Sequence, residues 1–277
     1  MDFLFQNWDL NDHFVMRKIC FDILSIELKE KPYSDKFCAI YLEGRNRNIN
    51  TYEELAAFKS FKLFSQYNYP IFLFVNKNVK IIFNSEIVKK WRIYIIPIDE
   101  ISTREEYNCF IYKYNVYKYI NNIENVLMFH PDGFLIKEGW EDFVIKNDFD
   151  YIGSHWLHLA AIDTNDLELK KITNNYKGIN IGNGGFSYRK TSKMSEIINK
   201  FSNYKFYEYG SDNKNLPTED LFFSYFGFNS GILKKPTLQQ CCDFSRDPID
   251  LNAYINKKSF GFHRPVFQNK YLCTQHN

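Results

Sequence analysis

The chain has 277 residues, and its 35 basic and 33 acidic side chains nearly cancel in charge. This length allows a large buried core and fits one catalytic-sized α/β domain, with at most a small appendage. The balanced charge does not predict the strongly positive surface that nucleic-acid binding requires, so we expect no nucleic-acid partner.

The start of the chain and its cysteines indicate a cytoplasmic protein. Charged residues interrupt the first 20 positions, among them Asp2, Asp9 and Arg17, so no secretory signal is expected. No run approaches the roughly 20 apolar residues of a membrane span. The six cysteines form no C-x-x-C pair and are expected to be reduced.

Short apolar runs rich in β-branched and aromatic residues predict buried strands. They cover residues 37–42, 70–75, 92–98 and 125–129. Helical patterns lie between them, and this alternation is typical of βαβ units around a mostly parallel sheet. The fold class expected from the sequence is therefore α/β.

Two of the predicted helices begin with a capping box, in which a Thr hydroxyl and a Glu carboxylate bind free amides at the helix start. One box starts at Thr51 and the other at Thr103. The helices are predicted over residues 52–66 and 104–121.

The second half of the chain is less regular. Residues 149–154 and 184–188 read as strands, and the polar segment 157–180 between them reads as an excursion or flexible loop. Within this region His155 and His158 are interpreted as loop residues. Helices are predicted after Thr191 and near Thr218, and residues from 231 onward mix short strands and loops.

Asp132 is the first candidate functional residue. It follows a strand too apolar to lie on the surface, so its carboxylate is expected at the rim of the sheet, where open parallel sheets bind ligands. Such an anion can hold a divalent metal on the phosphates of a nucleotide. The alternative is an Asp-Gly turn after the strand.

Two further motifs allow both structural and functional interpretations. Asn183-Gly184-Gly185 is typical of a tight turn, and the missing side chains would also let the backbone approach a sugar. Arg189 and Lys190 behind it are either phosphate ligands or solvated. Trp156 would either stack on a sugar ring or belong to the core.

The Glu219-Asp220 pair, which follows Thr218, also has two interpretations. Acidic residues are favoured in the first turn of any helix, by about 0.3 to 1 kcal/mol per charge. The alternative is a functional role for one of the two carboxylates.

Several segments occur together in a recognisable order. They are YN at 107–108, VLMFHPDGF at 126–134, FDYIGSHW at 149–156, NGGFSYRK at 183–190 and EDLFFS at 219–224. In this order they resemble a bacterial family of candidate glycosyltransferases, long catalogued only as a domain of unknown function and related to nucleotide-sugar enzymes of the GT-A fold. YLEGR at 41–45 is similar to that family's first strand and its acidic-x-Arg ending.

The resemblance covers roughly residues 37–265 and implies a GT-A-like, Rossmann-type single domain, taken as residues 37–277, with a mostly parallel sheet flanked by helices. Residues 1–36 are expected to form a helical extension before it. It implies an inverting glycosyltransferase that moves a sugar from a nucleotide-diphosphate sugar, expected to be a UDP-sugar, to a hydroxyl of a surface glycan such as lipopolysaccharide or capsule. The acceptor would be a glycan or lipid-linked glycan, which would bring the protein to the inner face of the membrane.

The resemblance also assigns site residues. Nucleotide-sugar binding is expected at Glu43, Arg45, Asn108, His130, Asp132, Asn183, Gly184 and Gly185. Asp220 is expected to be the catalytic base, and Glu219 its neighbour or an acceptor-binding residue.

The metal is the least regular part of this assignment. GT-A enzymes carry an Asp-x-Asp triplet, and the aligned His130-Pro131-Asp132 keeps only the second carboxylate. Strand alternation points His263 away from the apolar face of Phe262, and His263 resembles in position a metal-binding histidine of some GT-A families. We expect Mn²⁺ or Mg²⁺ on Asp132 and His263, with a surface histidine as the alternative.

Two other functions remain open from the sequence. One is a domain of the same fold that binds glycan or nucleotide without catalysis, because the triplet is incomplete. The other is a metal-dependent phosphohydrolase using His130, Asp132 and His263.

Overall fold

The computed structural model describes residues 10–47, 52–79, 84–120, 123–210 and 216–266. The α-helices of this part of the chain are α1 (Leu10–Ser25), α2 (Tyr52–Phe64), α3 (Ser85–Lys90), α4 (Arg104–Tyr112), α5 (Trp140–Lys146), α6 (Leu167–Thr173), α7 (Thr191–Phe201), α8 (Glu219–Asn229), α9 (Leu238–Phe244) and α10 (Leu251–Ile255). A 3-10 helix, Val116–Tyr119, follows α4.

The first ten strands lie between residues 37 and 190. They are β1 (Phe37–Glu43), β2 (Ile71–Asn76), β3 (Ile93–Ile98), β4 (Asn125–Phe129), β5 (Gly133–Leu135), β6 (Tyr151–Gly153), β7 (His155–Ala160), β8 (Ile162–Asp163), β9 (Ile179–Ile181) and β10 (Phe186–Lys190). The remaining strands are β11 (Tyr207–Glu208), β12 (Ser245–Arg246), β13 (Ile249–Asp250), β14 (Gly261–His263) and β15 (Pro265–Val266).

The central sheet has six strands in the order β3-β2-β1-β4-β10-β6. Strands β3, β2, β1 and β4 are mutually parallel, whereas β10 runs antiparallel to both β4 and β6. The predicted α/β class, with a mostly parallel sheet flanked by helices, is therefore confirmed.

Both faces of the sheet are buried, which explains why its strands read as continuous apolar runs. Along β1, Phe37 and Tyr41 belong to one hydrophobic cluster, and Ile40 and Leu42, which alternate with them, belong to another. The first cluster lies under α1, α2 and α5, and the second under α4, α7 and α8. Because successive side chains of a strand point to opposite faces of the sheet, β1 contributes to two separate cores.

The capping boxes have different outcomes. Thr103 and Glu106 form the predicted box, with the Glu106 amide donating to the Thr103 hydroxyl at 3.1 Å and the Thr103 amide donating to the Glu106 carboxylate at 3.0 Å. Helix α4 ends at Tyr112, earlier than predicted, because Asn115 takes a left-handed conformation with φ 55°. The box predicted at Thr51 lies outside the described residues.

The polar segment 157–180 is not the loop that its composition predicted. Within it lie most of β7, all of β8 and helix α6, and β7 pairs with β9 through an irregular antiparallel ladder. His155 and His158 are therefore strand residues. The prediction was wrong because β7 pairs locally and leaves Leu157 and Leu159 largely exposed, so no buried face marks it in the sequence.

Helix α1 lies within the predicted N-terminal extension and packs on the main core. Its apolar positions Val15, Ile19 and Ile23 are buried in the cluster under α2. The Lys59 ammonium of α2 donates to the Leu24 carbonyl of α1 at 2.7 Å. In the described part of the chain, no helix combines the length and the apolar character that a membrane span requires.

Phe222 of α8 tests how much the second core depends on aromatic packing. Its ring is fully buried and stacks on Tyr112, with ring centroids 4.4 Å apart. We expect Phe222→Ala to lower the free energy of unfolding by about 3 to 5 kcal/mol, measured by urea denaturation. Phe21→Ala, at a 70% exposed position on α1, should change it little; equal losses for both variants would contradict this packing.

Candidate functional site

His130 lies directly after β4, at the carboxyl edge of the parallel strands. Its backbone amide donates to the Gly185 carbonyl at 2.9 Å. Since β10 runs antiparallel beside β4, the loop before β10 meets the end of β4 at this point. The sheet itself therefore joins the His130-Pro131-Asp132 segment to the Asn183-Gly184-Gly185 segment.

The pairing of β5 with β14 brings His263 to the same edge. The register places His263 opposite Gly133, and the Arg264 amide donates to the Asp132 carbonyl at 3.0 Å. Phe262, the neighbour of His263, points the other way and stacks on Phe134 in the core. His263 and Asp132 are thus neighbours despite their distance along the chain.

His130, Asp132 and His263 form a compact group of nitrogen and oxygen donors. One candidate ligand atom from each residue lies within 4.8 Å of the other two. The Asp132 Oδ1 and His263 Nε2 atoms are 3.2 Å apart, but each is buried and lacks a hydrogen-bond partner within the described residues. Carboxylate oxygen and imidazole nitrogen are ligands that suit a divalent metal such as Mn²⁺, so these residues fit a metal ion.

The charges in this group are strongly perturbed. Burial lowers the pKa of His130 to about 4, so its imidazole is neutral at pH 7. Burial opposes the charge of His263, but Asp132 and Asp247 beside it raise the pKa of His263 to about 10. Burial also opposes the ionisation of Asp132, yet the adjacent His263 holds the pKa of Asp132 below its ordinary value. Without a metal ion the group is therefore an ion pair of His263 and Asp132 beside a neutral His130. Binding of a metal ion would require His263 to lose its Nε2 proton, because only a neutral imidazole nitrogen is a ligand.

Asp247 is a member of the site that no sequence motif predicted. Its carboxylate lies 3.3 Å from the Nδ1 atom of His263 and accepts a hydrogen bond from the Asn183 side-chain amide. The Arg264 Nε atom lies 3.4 Å from its other oxygen. The one local signal is an aspartate before a proline, Pro248, which is typical of turns and does not itself indicate a site.

Gly184 and Gly185 let the start of α8 and the His263 ring both pack closely against the loop before β10. A Cβ atom on Gly185 would overlap the imidazole of His263, and one on Gly184 would overlap the Glu219 carboxylate. The Gly184 amide donates to the Asp220 Oδ2 atom at 3.0 Å. Any larger residue at either glycine would push these groups apart.

Asp220 lies in the first turn of α8 and is partly exposed. Its two oxygens accept hydrogen bonds from the backbone amides of Gly184 and Leu221, at 3.0 and 2.9 Å. The negative charges of Asp220 and Asp132 both favour the charged form of His130, so both candidate carboxylates lie near this histidine. The structure therefore brings Asp132 and Asp220 together through the two glycines.

Glu219 is placed differently from its neighbour. Its carboxylate is 3% exposed and forms a two-point ion pair with the fully buried Arg189, at 2.6 and 3.0 Å. The Glu219 amide donates to the Asn108 side chain of α4 at 3.0 Å. Arg189 also donates to the Tyr117 hydroxyl at 3.0 Å, so its interpretation as a solvated or phosphate-binding residue was wrong.

Glu43 ends β1 at the same edge, and its carboxylate is almost fully buried. Arg45 donates to it at 2.7 and 2.5 Å, and Arg47 at 2.7 Å. Burial opposes the ionisation of Glu43, but these two guanidinium groups hold its pKa below the ordinary value. Burial raises the pKa of Tyr107, and the negative charge of Glu43 adds to this effect. The Tyr107 hydroxyl lies 2.8 Å from the His130 Nε2 atom.

Two other candidate residues lie outside this group. The Lys190 ammonium pairs with Asp148 and Asp150, at 2.8 and 3.1 Å. Trp156 of β7 is partly buried and packs against the second core.

Comparisons with known proteins point to a family and to a class of structures. A family model described as "Protein of unknown function (DUF5672)" matches residues 90–263. This range contains Asn108, Asp132, Asp220 and His263, and it begins after Glu43. No curated protein sequence matches the chain significantly.

Among solved structures, the apo form of the glycosyltransferase GlyE from Streptococcus pneumoniae TIGR4 aligns with a TM-score of 0.40 and 12% identity, over 85% of this chain and 55% of that chain. Mouse xyloside xylosyltransferase 1, also in its apo form, aligns with a TM-score of 0.41 and 10% identity, over 82% of this chain and 96% of that chain. This chain thus spans about half the length of the GlyE chain. Since the family model covers more than half of the sequence, this protein belongs to the DUF5672 family of proteins of unknown function.

Proposed function

We propose that this protein is an inverting glycosyltransferase that moves a sugar from a nucleotide-diphosphate sugar, specifically a UDP-sugar, to a hydroxyl of a surface glycan. One observation carries the proposal: the Gly184 amide binds the Asp220 carboxylate, while the adjacent Gly185 packs on the His263 ring beside Asp132. The partly exposed Asp220 carboxylate thus lies at Gly184, and the Asp132 and His263 side chains, which are proposed to bind the diphosphate, lie at Gly185.

Asp220 is the proposed base. As the acceptor oxygen bonds to the anomeric carbon, the bond from that carbon to the diphosphate breaks, and the acceptor proton moves to Asp220. The two amides that bind Asp220 would keep an oxygen oriented during the transfer. Positioned base catalysis contributes about 10² to 10⁴-fold to a rate.

The donor end of the site is assigned to the residues around Asp132. His130, Asp132 and His263 would hold the metal ion, which when bound supplies positive charge to the leaving diphosphate. Glu43 and Arg45 are proposed to line the nucleotide pocket, and Asn108 belongs to this lining through its contact with α8. Asn183 and the two glycines are proposed to lie against the donor sugar.

The cellular setting follows from the same proposal. We propose that the reaction takes place in the cytoplasm, and that a lipid-linked acceptor would draw the protein to the inner face of the membrane.

Replacing the proposed base tests the chemistry. We expect Asp220→Asn to reduce sugar transfer by about 10² to 10⁴-fold, because the amide cannot accept the acceptor proton, and to leave donor affinity nearly unchanged. Turnover is measured with a panel of nucleotide sugars and acceptors, and donor binding by calorimetry. Asp142→Asn, in the first turn of α5, is the control for helix electrostatics.

Near-normal turnover of Asp220→Asn would rule out Asp220 as the base. Donor binding by the wild-type protein without turnover on any donor would instead identify a non-catalytic binding domain.

Metal binding tests the donor end independently of activity. We expect Mn²⁺ to bind the wild-type protein, and Asp132→Asn to weaken binding at least about tenfold because it removes an anionic ligand. Asp148→Asn, which alters an exposed aspartate paired with Lys190, should bind as the wild type does. Calorimetry that detects no Mn²⁺ binding, or equal binding by Asp132→Asn, would remove the metal from the proposal.

The two neighbouring acids should differ in their effect on stability. Glu219→Gln leaves the buried Arg189 charge without its anion, so we expect a loss of about 3 to 5 kcal/mol in unfolding free energy, measured by urea denaturation. Asp220→Asn should lose far less, because its carboxylate is partly exposed. Equal stability of the two variants would show that Glu219 is not the anchor of α8.

A further inference from the structure

A pocket lies at the edge of the sheet opposite the candidate site. It is lined by residues 28–33 together with Lys62, Asn68 and Lys90. These segments precede β1, β2 and β3, and because the three strands are parallel, their amino ends meet at one edge. The candidate site lies at the carboxyl ends, so the two places are separate.

The lining of this pocket is strongly positive. It contains Lys29, Lys31, Lys62 and Lys90, and Glu30 is the single acidic residue among the lining residues. None of the four lysines lies within 4.0 Å of a carboxylate among the described residues. Burial lowers the pKa of Lys31, and the negative charges of the more distant Glu138 and Glu141 partly offset this effect. Asp35 forms an ion pair with the nearby Arg92.

Lys62 is the unusual member of this group. Its side chain is 2% exposed, although ammonium groups are seldom fully buried without an anion. It donates to the Asn68 side-chain oxygen at 2.9 Å and to the Tyr69 carbonyl, both of them neutral acceptors. Burial, together with the charges of Arg92 and Lys31, holds the pKa of Lys62 well below its ordinary value, so the charged form is disfavoured without a bound anion. A bound anion would favour the ammonium form, which has three N–H donors and keeps one for the ligand.

Lys31 has a different role. Its ammonium donates to the carbonyls of Lys62, Leu63 and Ser65 at the end of α2, which uses all three of its N–H groups. A cation is favourable at the carboxyl end of a helix, so Lys31 caps α2 and contributes charge to the pocket, without a free donor. Lys29 and Lys90 are exposed at the rim and have side chains long enough to reach a bound anion.

We infer that this pocket binds a phosphate group, with the Lys62 ammonium as its buried donor and Lys29 and Lys90 closing over it. A phosphate supplies several acceptor oxygens and negative charge to balance the four lysines, which outnumber the single Glu30. The cavity volume of about 260 Å³ is smaller than typical sites for drug-sized ligands, about 300 to 1,000 Å³, and suits a small anion or the head of a larger molecule. The phosphate is either free or part of a lipid headgroup.

Binding of inorganic phosphate tests this inference. We expect calorimetry at constant ionic strength to show saturable binding to the full chain, and Lys62→Met to weaken it at least about tenfold, because a charge-assisted hydrogen bond is lost. Lys59→Met is the matched control, because Lys59 lies on the same helix, is partly buried and donates to a carbonyl outside the pocket. Asp132→Asn should keep the phosphate affinity, which separates this pocket from the candidate site.

A second measurement covers the case in which Lys62→Met does not fold. In the wild-type protein, phosphate should slow acetylation of Lys62 and leave that of Lys59 unchanged, as followed by mass spectrometry. Absence of saturable phosphate binding, or equal protection of both lysines, would overturn the inference.

Vesicle sedimentation distinguishes the two sources of phosphate. Binding to phosphatidic-acid vesicles but not to phosphatidylcholine vesicles, with loss in Lys62→Met, identifies a lipid headgroup. Binding of inorganic phosphate with no vesicle binding identifies a free phosphate. Vesicle binding that is unchanged in Lys62→Met would contradict a role for this pocket at the membrane.

Discussion

The site depends on the buried ion pair between Arg189 of β10 and Glu219 of α8. Both charges are removed from water, so each requires the other, and the guanidinium also donates to Tyr117 and Ser187. The pair attaches the first turn of α8 to β10, the strand that directly follows Gly184 and Gly185. Asn108 completes this attachment by accepting the Glu219 amide.

This attachment explains why two adjacent acidic residues have different environments. Glu219 faces inward and is neutralised by Arg189, whereas Asp220 faces the Gly184 amide and remains partly exposed. A helix start with two acids therefore provides one anchor and one available carboxylate. The difference arises from the direction of each side chain on the helix and from the single buried cation beneath it.

The two ends of the parallel sheet differ in how their charges are paired. At the carboxyl ends, Asp132 and Asp247 flank His263, and Arg264 also lies beside Asp247. At the amino ends, Lys31 and Lys62 lie together without a carboxylate within ion-pair distance among the described residues. In the proposed function a donor with a metal-bound diphosphate would occupy the first end, and in the further inference an anion without a metal would occupy the second. One chain would thereby position two kinds of phosphate at opposite edges of the same sheet.

The sequence by itself determined the local features. Apolar runs predicted β1 to β4 because a strand buried on both faces must be apolar throughout, and Thr103 with Glu106 predicted the start of α4 because capping involves only neighbouring residues. The position of Asp132 at a strand end and of Asp220 at a helix start also followed from local patterns. The strand β7 did not, because its exposed leucines carry no buried periodicity.

Tertiary structure alone decided which of these residues meet. The pairing of β5 with β14 brings His263 to Asp132, and no local pattern encodes a register between strands so far apart in the chain. The role of Asp247, the buried pairing of Arg189 and the burial of Lys62 among neutral acceptors became visible only once the surrounding groups were placed. Burial and charge neutralisation depend on neighbours from several elements, so the sequence predicted the elements and the folded chain determined the site.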